Sequence, residues 1–261
     1  YVSSDLSSSA EHFFRSGIKG IDVQTSPELT VWVWMNDGTL VSGTVDLSSG
    51  VTGWALHPMG GSGLVECVSI DRGSTEDELW LIVRRGTQRA VEVMTPRSYA
   101  TKAEAHLVDC GLDLTPNSKT VTDLGHLEGK TVQAFADGGV LPEKTVSGGT
   151  VVYDRVVSRI HIGYAIESKL IPLPLDFSSN GTTQGKKKRV RGYTLRLNES
   201  LGGRVGVEGG TMEDILVRTP QNIPLGSPPE LFSGDITKPF PGVIDPTISI
   251  SIEHDDPSPF E

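Results

Sequence analysis

The stretch Leu29-Thr30-Val31-Trp32-Val33-Trp34-Met35, turned by Asn36-Asp37-Gly38 and answered by Thr39 to Val45, decides the fold class. Branched and aromatic side chains dominate it, and these suit a pleated surface better than a helix, where χ1 is crowded. Asp-Gly between two such runs signals a hairpin, because a tight primed turn needs positive φ. Working outward, the pattern recurs. Ser48-Ser49-Gly50 turns into Val51 to Leu56, and Gly60-Gly61-Ser62-Gly63 turns into Leu64 to Ile70. The polar loop Asp71 to Asp77 then leads into Glu78 to Arg84, and Arg89 to Met94 closes the set. Short strands evenly spaced by tight turns predict an antiparallel meander, the unit of propeller blades and of sandwich halves.

One helix is expected near the start, capped by Asp5, with Leu6, Ala10, Phe13 and Phe14 at helical spacing and a stop at Gly17. Residues 96–119 break the strand pattern with Pro96 and Pro116, so a boundary is placed there. From Thr120 to Ile162, short strands such as Thr131 to Ala136 alternate with turns such as Asp137-Gly138-Gly139 and Ser147-Gly148-Gly149. A small barrel or sandwich of five or six strands fits that length. Leu170 to Leu175 carries Pro172 and Pro174, which suit a linker or an edge strand. Strands resume at Arg189 to Leu197, Arg204 to Val207, Asp214 to Arg218 and Thr247 to Glu253, amid proline-rich coil that ends in an exposed tail, Asp255 to Pro259. The expected organisation is all-β: a propeller-like antiparallel meander over residues 1–115, an inserted small β-barrel or sandwich domain over 116–175, and closing strands with a Pro-rich tail over 176–261.

Composition agrees and sets limits. The 261 residues include 30 glycines and 16 prolines, an excess that means many turns. Asp and Glu number 33 against 23 Lys and Arg, a formal charge of −10. Such a chain has no electrostatic grip on nucleic acid, whose binding rests on cationic neutralisation of phosphates, although DNA can slide past it. No apolar run nears the ~20 residues of a membrane span, and no leader pattern opens the chain. A start at Tyr1 without Met suggests processing or a fragment. Cys67 and Cys110 cannot make a disulfide scaffold; one bridge between them is open, but buried free thiols are expected.

The search for chemistry yields little. Gly125-His126-Leu127-Glu128-Gly129-Lys130-Thr131 has three residues between its glycines where a phosphate loop needs four, and a strand follows it rather than a helix. There is no metalloprotease, paired-cysteine, nucleophile-elbow or dinucleotide motif. His12, His57, His106, His126, His161 and His254 are scattered. His254-Asp255-Asp256 and the loop Asp71 with Glu76-Asp77-Glu78 offer oxygens for a hard cation but read as solvated acidic loops. Lys186 to Arg189 with Arg191 is the only basic run, either a phosphate or acidic-partner contact or a gatekeeper of the next strand. Asn180-Gly181-Thr182 and Asn198-Glu199-Ser200 match the glycosylation pattern. No catalytic, cofactor-binding or metal residue is assigned, and no enzyme activity is expected. The tryptophans Trp32, Trp34, Trp54 and Trp80 are expected to pack between sheets; the alternative is a sugar-stacking platform, and exposure decides between them.

Several strings nevertheless form a recognisable order. Asp5 to Phe14, Pro27 to Trp34 with Asp37 to Leu40, Gly53 to His57 and Glu78 to Arg85 come first. Leu124 to Gly129, Ala136-Asp137-Gly138, Val146 to Thr150, and Ile162-Gly163-Tyr164 with Glu167-Ser168 follow. Leu195-Arg196-Leu197 with Ser200, and Phe232 to Asp235, come last. In this order they resemble the tail nozzle, or tail tubular (tail stabilisation), proteins of short-tailed bacteriophages, over nearly the whole chain. Members are much longer, so the chain would match a C-terminal portion. The resemblance implies a structural virion protein of the phage tail, a six-fold ring (homohexamer) that continues the DNA conduit below the portal and adaptor. It also implies contacts with the head-to-tail adaptor and the tail fibre or needle proteins, genome retention and guided DNA ejection, with no cofactor. A runner-up, of another class, is a propeller or sandwich carbohydrate-binding module of a receptor-binding tail component.

Overall fold

A computed structural model describes residues 5–261 apart from 9, 47, 49, 74–75, 97–98, 175, 177–181, 184, 217–226, 241–243 and 247. The chain is almost entirely β, as expected: 54% lies in strands arranged as small antiparallel, blade-like sheets, and among the described residues no helix reaches seven residues. It divides into two compact units, residues 1–99 and 100–261.

The first unit holds two sheets. β1 (Ile18–Gln24), β2 (Thr30–Met35), β3 (Leu40–Asp46) and β4 (Val51–His57) pair in that order; β5 (Leu64–Arg72), β6 (Asp77–Arg85) and β7 (Gln88–Val93) make the second. Trp32 and Leu40 from one sheet meet Val65, Val68, Leu79, Leu81 and Val83 from the other, all buried. Burial of such side chains contributes about 1.5–3 kcal/mol each. Polar groups stitch the same seam: the Ile70 amide donates to Asp22 Oδ2 at 2.8 Å, and the Thr25 amide to Asp77 Oδ2 at 2.7 Å.

Three expectations change here. The predicted helix is a single 3-10 turn, Glu11–Phe14, with no side-chain cap; Asp5 Oδ1 instead accepts from the Ser7 amide two residues on. Such a local turn competes with helix initiation. β1 had no sequence prediction, because Ile18, Ile21 and Val23 stand on an exposed edge and Gly20 interrupts their run. At Asn36-Asp37-Gly38 only Gly38 has positive φ, and its amide bonds to Met35 O. That is a three-residue loop ending in a left-handed glycine rather than a primed two-residue turn.

Two tryptophans cover glycines across the strand: Trp34 lies opposite Gly20 and Trp54 opposite Gly43. A Cβ on Gly43 would stand 2.6 Å from Trp54 Cζ3. The missing side chain makes room for the indole, which hides backbone that glycine would otherwise leave wet.

In the second unit, β8 (Asp109–Leu114), β9 (Ser118–Val121), β10 (Thr131–Ala136), β11 (Gly139–Thr145), β12 (Val151–Val157) and β13 (Ile160–Tyr164) form a small sandwich. Its sheet β11-β10-β13-β8 and its pair β12-β9 enclose Val121, Leu127, Val132, Ala134, Val151, Ile160 and Ile162. Asp137 and Gly138 both have positive φ between Ala136 and Gly139, a primed turn as Asp-Gly predicts. The sandwich starts earlier than the expected residue 116, since β8 pairs with β13. β8 is only half-buried, so its alternation is faint in the sequence.

The remaining strands are β14 (Ser168–Leu170), β15 (Gly192–Ser200), β16 (Arg204–Val207), β17 (Met212–Asp214), β18 (Phe232–Pro239) and β19 (Ile250–His254). They form the sheet β14-β19-β16-β17 and the pair β15-β18 around Leu197, Val205, Ile215, Phe240 and Ile248. β14 is an edge strand, and Pro172 and Pro174 lie just beyond it in chain without strand pairing, as a linker would. The predicted starts and ends at Thr247 and Arg218 lie outside the described residues. The expected exposed tail is instead docked: Pro257, Ser258 and Pro259 are buried. Leu201 N donates to Pro259 O at 2.6 Å, Asn198 N donates to Glu261 O at 2.8 Å, and Phe260 stacks on His254. Proline's apolar ring packs without needing an amide partner, so composition alone misjudges such a tail.

Candidate functional site

Tryptophan exposure was the discriminating observation. Trp32 is buried, and its Nε1 donates to Gln24 Oε1 at 2.9 Å. Trp34 packs against the seam between the sheets. Trp54 meets Phe14 edge-on at 5.0 Å and donates to Leu6 O at 2.8 Å. Trp80 alone is exposed, at 39%. Val93 stands opposite it on β7, and Ile82 and Val91 are paired two residues away on the same face. On its other side Ser69 stands opposite on β5, and Trp80 Nε1 donates to Glu78 Oε2 at 3.1 Å. Val91 is 69% exposed. The outer face of β6 and β7 therefore carries four exposed apolar side chains in one patch, with Glu78 at the edge of the Trp80 ring.

Three polar clusters are built around histidines. Ser42 Oγ lies 2.7 Å from His57 Nε2, with the Trp32 ring beside the imidazole. Ser258 Oγ lies 3.5 Å from His254 Nε2, but that nitrogen is closer to Ser258 O, at 2.7 Å. Ser258 is 2% exposed, so no substrate carbonyl reaches its hydroxyl, and nucleophilic chemistry has no entry there.

The third cluster is the densest. His161 on β13 is buried; its Nε2 lies 2.9 Å from Ala103 O and its Nδ1 lies 3.1 Å from His106 Nδ1. Asp113 Oδ1 stands 3.7 Å from His161 Nδ1. Arg159 Nη2 donates to Asp113 Oδ2 at 2.6 Å and Nη1 faces Glu104 at 3.5 Å. Desolvation, then the neighbouring His161, pushes His106 down to about 4. The Arg159 hydrogen bond holds Asp113 below the usual carboxylate range. Sequence reasoning missed this cluster, because the 55-residue gap between the two histidines leaves no periodic signal.

The other sequence candidates resolve singly. Gly125–Leu127 is a 3-10 turn whose Leu127 is buried, and the following Glu128 carboxylate takes the amides of Gly148 and Gly149, which lower its pKa. The loop's own amides at Leu127, Glu128, Gly129 and Lys130 donate to backbone carbonyls, so these four are not left to cradle a phosphate. Lys186, Lys187, Arg189 and Arg191 are exposed, while Lys188 bridges Asp245 through its backbone. Asp77 and Asp255 are engaged by Thr25 and Arg204. Among the described residues no group of three or more His, Cys, Asp or Glu is arranged to hold a metal ion. Cys67 and Cys110 are not joined in a disulfide, but neither is fully buried as expected: Cys110 is half-buried, and Cys67 is exposed because it faces outward opposite Ile82. Asn180 of the first glycosylation pattern lies outside the described residues; Asn198 of the second hydrogen-bonds Glu261 Oε2. Among the described residues no helix is long and apolar enough to cross a membrane. No family model and no curated protein matches the chain.

Proposed function

We propose that this chain is a structural subunit of a short-tailed phage tail nozzle, a ring that continues the DNA conduit, retains the genome and guides its ejection. The observation that carries this reading over a carbohydrate module is the disposition of the tryptophans. Three pack within the first unit, and the exposed Trp80 shares its face with Ile82, Val91 and Val93. A patch of four exposed apolar side chains with Glu78 and Ser69 along one edge suits a protein neighbour better than a sugar, which asks for polar groups around the whole ring. The strings that carry the family resemblance fall on scaffold: Gly53 to His57 lies in β4, Glu78 to Arg85 in β6, Ile162 to Tyr164 in β13, and Ala136-Asp137-Gly138 at the primed turn. Strand and turn positions are what a structural role asks to be kept.

Charge supports the same reading. Six copies at −10 each carry −60, and an acidic lumen repels phosphates, so DNA passes without sticking. Heterologous contacts that close by rotation would form the ring, with adaptor and fibre or needle proteins as further neighbours and the virion tail as the location. The test is the oligomeric state of the purified chain, alone and with tail extract, by light scattering and negative-stain imaging. Six-fold rings or incorporation into tails is the expected result. A monomer that never enters tails and binds glycans on an array overturns the reading in favour of the carbohydrate module.

A further inference from the structure

We propose that the His106–His161 pair is a proton-operated clasp, holding residues 101–106 against the outer face of the sandwich at neutral pH and releasing them in acid. The inference does not depend on the nozzle reading. It begins with the alternation of β13: Ile160 and Ile162 point into the core, so His161 points outward, flanked across the sheet by Phe135 and Asp113. Yet His161 is only 1% exposed. Because His161 Nε2 touches Ala103 O and its Nδ1 touches His106, the segment running from Thr101 to His106 is what covers it.

Hydrogen-bond logic fixes the protons. Ala103 O is only an acceptor, so His161 Nε2 must carry a hydrogen and donate. In the neutral ring Nδ1 is then an acceptor, and His106 Nδ1 supplies the hydrogen across 3.1 Å. One added proton is tolerated: His161 takes it on Nδ1, beside Asp113, and donates to His106 in its other tautomer. A second is not, because two N–H groups then face each other across that gap, each ring positively charged. The groups facing the pair are Asp113, Arg159 and Glu104; Arg159 engages both carboxylates, so the net charge around the rings does not offset a second proton. The downward push on His106 agrees in direction. The segment is also held by Arg159 to Glu104 and by Lys102 Nζ, which donates to Pro229 O at 2.7 Å, while the Glu104 and Ala105 amides bond within it, to Thr101 O and Lys102 O.

The experiment is native-state amide exchange on the whole chain at pH 7, 5 and 4, expressed as protection relative to an unstructured peptide at each pH. The Glu104 and Ala105 amides are expected to lose about tenfold protection or more between pH 7 and 4, while Ala134 and Ile162 keep theirs. His106→Gln keeps a donor but takes no proton, so its protection at Glu104 and Ala105 stays flat. A flat wild-type profile, an equal loss in H106Q, or a loss shared by Ala134 and Ile162 overturns the clasp. Should H106Q not fold, ring 15N shifts of the wild type decide: protection must fall where both rings become charged, and a fall elsewhere refutes it.

Discussion

Gly43→Ala is the sharpest probe of the sheet that the opening hairpin builds. Gly43 is buried on β3 without a positive φ, so its backbone alone would accept alanine. In a strand, losing glycine's unfolded-state freedom should stabilise by about 0.4–1 kcal/mol. Trp54 reverses that sign, because the new Cβ would stand 2.6, 2.8 and 2.9 Å from three carbons of its ring. The indole must move away, and overpacking of this kind costs about 1–3 kcal/mol. Its edge contact with Phe14 and its bond to Leu6 O go with it, adding about 1 kcal/mol. The net expectation is about 2 kcal/mol of destabilisation, or about 10 °C in Tm for a unit of this size. Gly53→Ala is the matched control: it is next to Trp54 but has nothing within 4 Å of its Cβ position, so it should stabilise slightly. All four tryptophans lie in residues 1–99, so tryptophan fluorescence during urea unfolding follows this unit alone. A Gly43→Ala midpoint within about 0.5 kcal/mol of the parent, or equal shifts for both glycines, refutes the cross-strand cover.

His106, held at about 4 against an ordinary 6.5, makes the unfolded chain the better proton binder between those values. The second unit should therefore lose about 3 kcal/mol as pH falls from 6.5 to 4 and nothing from this group above 6.5; urea midpoints followed by circular dichroism in H106Q, which lacks that slope, check it. Tyr153 is buried with its hydroxyl unpaired among the described residues, and burial pushes its pKa up to about 12. Tyr153→Phe should thus leave stability unchanged or raise it by up to about 1 kcal/mol, and a clear loss on thermal unfolding would reveal a partner for that hydroxyl. Val91→Asp puts a charge on the most exposed part of the β6–β7 stripe; the monomer's Tm should hold while rings fail to assemble in light scattering, and rings of normal size would move the interface elsewhere.

The sequence was most legible where one face of a strand is fully buried. Trp32 and Leu40, or Ile160 and Ile162, leave a period of two that no helix could satisfy. It was least legible where burial is partial. Ile18, Ile21 and Val23 on β1 face solvent, so their run carried no inward face to recognise, and half-buried β8 vanished into a presumed linker. Turn chemistry was read correctly at Asp137-Gly138 and only in part at Asp37-Gly38, because the same dipeptide serves two loops that differ by one residue. The docked tail escaped for a different reason: Ser258 and Pro259 are held by Leu201, and Glu261 by Asn198 and Ser200, over fifty residues earlier. The His106–His161 pairing likewise depends on the register of β13 against β8, which no local pattern encodes.

That same long range bears on what the polar groups of this chain do. Asp22 reaches the amide of Ile70, Asp77 reaches Thr25 and Ser26, His161 reaches Ala103, and Ser200 reaches Glu261. Each contact joins segments that the apolar cores alone would leave free to slide, and each buried partner is satisfied, which is what makes it stabilising rather than costly. A reaction centre needs the reverse, a reactive group left accessible and short of partners until substrate supplies them. Ser258 fails that requirement on geometry, since its buried hydroxyl lies between Leu201 O and His254 Nε2. Polar groups spent as fasteners, apolar surface left outward on β6 and β7, and a surplus of negative charge are the features on which the structural role proposed above rests.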